Sequence, residues 1–524
     1  MGFILAMKLI FSALFLSGCG SAPSMPAASP FDQVVEQTAS VNPIPEDKLR
    51  AAASDPVTRQ FYEANGWHAV WSIAATKAFR RSLGERARHG LDHLSYLATP
   101  DASFSTARRE ILLTHAALSY SAALAQGQAD PTQLHKIYTL SRPQIALNQP
   151  LKEALAAGNL ETWLESLAPQ DAVYTRLSKA YLSAQWEAKN ADQAIIAAGV
   201  IHVGDTDRRV PAIVKALIAG GYLTAQDTTF SSSNPKSLPA DAALYTRGIA
   251  NGVMELQRSF GIEEDGIIGP DTLELLNVRP GDQAKALAVA LERLRWLTRT
   301  PPATRIDVNT ADAQLYYYRN GELVDNRRVI VGLPGNETPQ LLAPIFRLVA
   351  NPTWTIPKSI QHGEMAGVSN SYLRRHNMVR RNGWIIQLSG PSNALGLVKF
   401  DMRNDQAIFL HDTSAPLLFG RSQRHLSHGC VRVENAEDLA KLIAEDEGIG
   451  DKWQQARGSS RQIFVDLPSQ IPVRLLYQNV FVDRTGEVAF RTDPYGWNAP
   501  IASALGFKEV SRAKAMGEVV DIGP

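Results

Sequence analysis

Two groups that together perform acyl transfer lie close in the chain: His411, and the run Ser427, His428, Gly429, Cys430, Val431, Arg432 that begins 16 positions later. A thiolate attacks carbonyl carbon well, and a nearby imidazole can take the thiol proton and return it to the leaving amine. Gly429 lets backbone come close, so the N–H groups of Gly429 and Cys430 are candidates for holding the oxyanion of a tetrahedral intermediate. Cys430 is one of only two cysteines, the other being Cys19. With Cys19 otherwise engaged, Cys430 has no disulfide partner within the chain, and a lone thiol is either inert and buried or a working nucleophile. His411, His428 and Cys430 also carry the N and S donors that zinc accepts, which makes a zinc hydrolase the alternative chemistry. That alternative lacks an HExxH-like element to supply a base.

These groups need rigid elements to bring them together. His411 closes a strand expected over Ala407 to Leu410. Beyond Arg432, Asn435 is placed to cap a helix with Asp438 three positions on, pinned to a core by Leu439, Leu442 and Ile443. The texture from about residue 300 is that of strands. Leu315 to Tyr318 and Leu323 to Val331 flank Asn320-Gly321, a strong hairpin signal because both turn residues tolerate positive φ. Further strands are expected at Ile345 to Ala350, Leu397 to Phe400 and Ile463 to Val465, with a hairpin over Val480 to Phe490 turning at Thr485-Gly486. The segment from Trp354 to Gly396 is too long for a plain connection and reads as a lid. Its Arg374, Arg375, Arg380 and Arg381 form either a solvated face or a contact for anionic carboxylates.

At 524 residues the chain exceeds what one core can hold. Residues 46–200 read as a helical scaffold, for example through Ile111, Leu112, Ala116, Leu118 and Leu124 before Gly127. Residues 201–280 read as a second helical module, 300–480 as the catalytic domain and 481–524 as a terminal hairpin and tail. The fold class is thus multidomain α+β, helical first and β-rich after. With 53 basic and 52 acidic residues there is no electrostatic footprint for nucleic acid. At the N-terminus Lys8 precedes the apolar stretch Leu9 to Leu16, the pattern of a signal peptide over 1–18. The following Cys19 resembles the acylated residue of bacterial lipoproteins, and the Pro, Ala and Ser of 19–45 read as a tether. A lipid-anchored periplasmic protein is expected, with Gly20 after the cysteine favouring the outer membrane.

The stretch Val253, Leu256, Gln257, Phe260, then Asp265-Gly266 and Gly269-Pro270-Asp271-Thr272, resembles a peptidoglycan-binding repeat. The His411 and Ser427-His428-Gly429-Cys430-Val431-Arg432 pattern resembles the signature of YkuD-type L,D-transpeptidases. The order of domains, with Asn393-Ala394-Leu395-Gly396 and Leu410-His411-Asp412-Thr413, resembles their larger YcbB-like branch. The resemblance implies that Cys430 is the nucleophile and His411 the proton acceptor and donor. Arg432 would orient groups or meet a substrate carboxylate, Asp412 would hold the His411 ring through its carbonyl, and His428 would tune the thiol or brace the loop. It further implies attack on a tetrapeptide stem of peptidoglycan, release of D-Ala and a 3-3 crosslink through a thioester. No cofactor is needed, because the thioester keeps the energy of the broken bond. Water or an envelope protein are the alternative acceptors, and a wall-binding lipoprotein without activity is the non-enzymatic alternative.

Overall fold

The structure, a computed structural model, describes residues 43–97, 103–190, 195–224, 243–363 and 365–508. The apolar stretch at 9–16, Cys19, nearly all of the tether and the tail after 508 lie outside the described residues.

The first half is helical. Ser105 starts the helix Thr106–Gln126 by accepting the Arg108 N–H on its side chain, and Gly127, at φ +89° and ψ +155°, stops it. Phe61, Phe79, Leu118, Leu124 and Leu177 form a core that also takes in Leu287, Leu291 and Trp296 of the helix Pro280–Trp296. Val480, Ile501 and Leu505, from far down the chain, complete it. The C-terminal segment is therefore part of the helical body and not only a terminal appendage. A second, smaller core joins the helices Val210–Ala219, Arg247–Phe260 and Pro270–Leu276, next to the short pair β1 (Thr206–Asp207) and β2 (Ala243–Leu244). Here Gln257 satisfies the reversing turn: its amide donates to Asp265 Oδ1 (2.8 Å) and Thr272 Oγ1 (3.0 Å), and its carbonyl accepts the Gly266 N–H (2.9 Å).

The second half is a sheet that closes on itself. Its strands are β3 (Arg305–Asn309), β4 (Gln314–Arg319), β5 (Glu322–Gly332), β6 (Leu342–Ala350), β10 (Val398–Met402), β11 (Leu410–His411), β12 (His425–Ser427), β13 (Val431–Val433) and β14 (Ile463–Leu476), with β7 (Trp354–Thr355), β8 (Met378–Arg381) and β9 (Trp384–Gln387) set apart. The order is β12-β5-β13-β11-β10-β6-β14-β3-β4, and β4 pairs back onto β5 through the hairpin at Asn320 (φ +53°) and Gly321 (φ +92°). Val308, Leu315, Ile345, Phe400, Leu410 and Val431 fill the interior, and Leu439 and Ile443 of the helix Ala436–Asp446 pack against it. β15 (Val480–Val482) and β16 (Val488–Phe490) form the hairpin at Gly486 (φ +86°).

Two local expectations are corrected, and a third segment is found to carry structure of its own. The strand expected over Ala407 to Leu410 is confined to Leu410–His411, because Ala407 takes a left-handed conformation (φ +54°) that ends an extended run. Asn435 stands at the N-cap of its helix, but in the left-handed region (φ +49°) and without accepting from the first turn; its use is the tight bend, which Asn tolerates. The segment after Trp354 is no open loop. It is a small subdomain in which β7, β9 and β8 form an antiparallel sheet over the side chains of Ile356, Ile360, Leu373 and Ile385.

At Gly127 a Cβ would lie 2.6 Å from Glu292 Oε1 and from the Trp296 ring, in a backbone region open essentially to glycine alone. Gly127→Ala is expected to destabilise the protein by about 2–5 kcal/mol, read as a lowered urea midpoint at unchanged slope.

Candidate active site

The reacting groups are brought together by strand pairing. β11 runs parallel to β13 with His411 opposite Arg432, and antiparallel to β10 with His411 opposite Lys399. Residues opposite one another on adjacent strands project from the same face, so Lys399, His411 and Arg432 form a row. Phe409 shares that face. Its ring meets the His411 imidazole edge-on with centroids 5.5 Å apart, and the Lys399 Nζ sits 4.1 Å from its centre. The Val431 N–H donates to the Phe409 carbonyl (3.2 Å), which sets Cys430 at the head of β13 beside this row, its sulfur 3.8 Å from the Ala407 carbonyl oxygen.

His411 is buried, and its Nδ1 lies 2.6 Å from the Asp412 carbonyl oxygen. A carbonyl only accepts, so Nδ1 carries the proton and Nε2 is left with its lone pair. Burial, reinforced by the Arg432 and Lys399 charges against the pull of the Asp412 carbonyl, holds the imidazole down at about 3. Burial likewise pushes the Cys430 thiol up to about 11, although a backbone hydrogen bond at Phe409 and the charges of Lys399 and Arg432 act the other way. The resting pair is thus neutral thiol and neutral imidazole. Asp412 has a second use: its carboxylate accepts the Leu397 N–H (2.8 Å), where the subdomain after Trp354 returns to β10. A Cβ on Gly396 would sit 2.3 Å from that carboxylate, which is why the turn needs glycine there.

The loop around the thiol is held by hydroxyls. Ser427 Oγ donates to the Cys430 carbonyl (2.5 Å) and accepts the Gly429 N–H (3.2 Å). Gly429, at φ +112°, thus has its N–H engaged by Ser427, which leaves the Cys430 N–H as the uncommitted one of the two candidate oxyanion donors. Thr338 Oγ1 donates to the Gly429 carbonyl (2.8 Å). Arg432 is buried beside His411, and His428 is half-buried on the loop. The donors of the zinc alternative do not converge: among the described residues no three His, Cys, Asp or Glu side chains stand close enough to hold a metal ion.

Residues 303–454 match the L,D-transpeptidase catalytic domain YkuD, and residues 56–180 match the Scaffold domain. The chain contains a YkuD-type L,D-transpeptidase catalytic domain. A curated Haemophilus influenzae protein with a provisional L,D-transpeptidase name is 30% identical over 225 residues, covering 37% of this chain and 45% of that relative. The chain thus spans less than half the length of the curated relative it matches. Among solved structures, an L,D-transpeptidase from Stackebrandtia nassauensis covers 55% of this chain and 97% of its own (14% identity, TM-score 0.21). One from Mycobacterium smegmatis covers 33% and 58% (11% identity, TM-score 0.19).

Sequence reasoning missed Lys399, Thr338 and Tyr495. For Lys399 a signal existed, since a polar residue between Val398 and Phe400 on a strand must face the side opposite the core. Thr338 and Tyr495 carry no local signal, because their partners are distant in the chain.

With the thiol held near 11, alkylation of Cys430 by iodoacetamide is expected to rise about tenfold per pH unit across the neutral range toward pH 11. A rate that is flat from pH 5 to 8 would mean that a thiolate–imidazolium pair exists at rest.

Proposed function

We propose that this protein is a cysteine-dependent L,D-transpeptidase that forms 3-3 crosslinks between peptidoglycan stem peptides. The observation that carries the reading is the thiol of Cys430 on a hydroxyl-braced loop, beside a neutral imidazole whose tautomer is fixed by the Asp412 carbonyl. In the acylation step the Cys430 sulfur bonds to the carbonyl carbon between the third and fourth stem residues, and its proton passes to His411 Nε2. The carbonyl electron pair moves to oxygen, where the Cys430 N–H receives it. Collapse breaks the C–N bond and expels D-Ala as the amine, which takes the proton from His411. A side-chain amine of a second stem then resolves the thioester by the same sequence in reverse.

Because the resting imidazole is held near 3, proton transfer to it depends on the charge that develops at the oxyanion. Within the row Lys399 is ion-paired with Asp401 (2.8 Å), and Arg432, buried beside His411, is the candidate for orienting groups or meeting a stem carboxylate. Arg374, Arg375, Arg380 and Arg381 lie on the helix Asn370–Arg375 and on β8 and are a further candidate contact for anionic carboxylates. The module at 201–280 is assigned to peptidoglycan on its sequence pattern, and Cys19 to a lipid anchor that keeps the enzyme at the envelope. Water as acceptor gives the second reading, an L,D-carboxypeptidase working through the same thioester.

Purified protein lacking residues 1–42 is to be incubated with disaccharide tetrapeptide and the products weighed by mass spectrometry, beside Cys430→Ala. Release of D-Ala with 3-3 dimers, abolished in the variant, is the expected outcome. Tripeptide monomers without dimers would establish the carboxypeptidase, and a product independent of Cys430 would remove the thiol from the mechanism.

A further inference from the structure

The nucleophile loop is held from outside the matched catalytic domain. A trans peptide unit points its C=O and its N–H in opposite directions, and no cis peptide bond occurs among the described residues. Thr338 is fully buried, and its hydroxyl donates to the Gly429 carbonyl at 2.8 Å. That bond turns the N–H on the other side of the same peptide unit, the Cys430 N–H, away from Thr338. The next unit is fixed in turn by Ser427 Oγ on the Cys430 carbonyl. Both planes flanking the nucleophile's Cα are thus set by hydroxyl groups.

Thr338 is itself held. Its Oγ1 accepts the Gly332 N–H (2.8 Å) at the end of β5, while its own N–H donates to the Tyr495 hydroxyl (3.3 Å). That hydroxyl donates to the Gly332 carbonyl (2.7 Å), so Tyr495 and Thr338 together satisfy both polar groups of Gly332. Gly332 admits no side chain: a Cβ there would lie 2.1 Å from the Asn336 carbonyl oxygen, which keeps the turn from Leu333 to Glu337 packed on the strand end. Tyr495 comes from the C-terminal segment, 41 residues past the end of the match at 454. Its ring stacks on Tyr477 (5.2 Å, 19°) and meets Trp497 (4.8 Å). Trp497 in turn packs on His135 (4.7 Å), which faces Trp296 of the helical body (6.2 Å). The hydroxyl is therefore positioned by a seam that both halves of the molecule build.

We propose that Thr338 and Tyr495 are positioning residues that aim the Cys430 N–H at the oxyanion of the acylation intermediate, with Tyr495 acting from the C-terminal segment. The proposal rests on Cys430 being the acyl acceptor, as in the function proposed above. A residue that merely supports the loop would affect every reaction of the thiol alike. An aiming residue affects only those that pass through an oxyanion.

Two reagents separate these roles in the full-length protein. p-Nitrophenyl acetate acylates the thiol through a tetrahedral oxyanion, and iodoacetamide alkylates it by direct displacement without one. Loss of a well-aimed donor costs acylation on the order of 100-fold or more, so Thr338→Val is expected to slow acetylation by about 10–100-fold, while alkylation stays within about threefold. Thr338→Ser, which keeps the hydroxyl, is expected to restore acetylation, and Tyr495→Phe to slow it by about 3–10-fold. Acetylation of Thr338→Val at the wild-type rate, or acetylation and alkylation falling in parallel, would overturn the proposal. A wild-type enzyme that is acetylated but releases no D-Ala from disaccharide tetrapeptide would overturn the substrate reading and leave the ratio of the two rates as a valid test of the aiming role.

Discussion

The site depends on one pairing, that of Leu410–His411 with Val431–Val433 in parallel. Parallel neighbours cannot be joined by a tight turn and need a crossover of a dozen residues or more. The distance in sequence between the histidine and the cysteine is therefore a consequence of strand direction. Parallel register sets His411 opposite Arg432, and Cys430 comes two residues before Arg432 on the same face, diagonal to the imidazole. The intervening chain, with its short helical turn Pro416–Gly420 and then β12, uses the crossover to lay Ser427 beside β5. From there its hydroxyl reaches the nucleophile loop.

That arrangement sets the electrostatics. The row of Lys399, His411 and Arg432 is cationic at both ends, and burial and the two charges together disfavour a charged imidazole. The same charges favour a thiolate, yet burial outweighs them and leaves the thiol protonated. At rest both groups of such a site are neutral. An anion held near the Cys430 N–H would favour imidazolium directly.

The candidate residues were legible in the sequence; those that place them were less so. His411 and Cys430 were singled out by a short local pattern, the Asp412 carbonyl by the resemblance that this pattern carries, and the structure does place that carbonyl on His411 Nδ1. The Asn320-Gly321 and Thr485-Gly486 hairpins were found because positive φ restricts residue choice at a turn. The helix Thr106–Gln126 was read from its spacing and from Gly127. The strand at Ile463 to Val465 was read too short, since β14 runs on through Leu467, Pro468 and Ser469 to Leu476, with an irregular register against β6 between Asp466 and Ile471. Thr338 and Tyr495 meet Gly429 and Gly332 across 91 and 163 residues. No periodicity encodes such a contact, which exists only once the sheet has closed and the C-terminal segment has turned back.

The helix Pro280–Trp296 shows why that return is specific. Its Arg295 is fully buried, donating to Glu292 (2.5 Å), the His89 carbonyl (2.7 Å) and the Tyr174 hydroxyl (2.8 Å) on the helical side. Two residues earlier Arg293, equally buried, donates to Asn479 Oδ1 (2.9 Å) and Asn498 Oδ1 (2.7 Å), with its guanidinium 4.9 Å from the Tyr477 ring centre. Buried charges add little net stability when paired, but removing a partner costs roughly 3–5 kcal/mol. Their effect is accordingly on register. Any slide of the C-terminal segment along the helix would strand Arg293 without its two asparagines, whereas an apolar seam would tolerate the shift. Asn479 and Asn498 bracket Tyr495, and Tyr477 stacks on it. Fixing those residues against Arg293 fixes the height of the Tyr495 hydroxyl, and with it Thr338 and the peptide unit that carries the nucleophile.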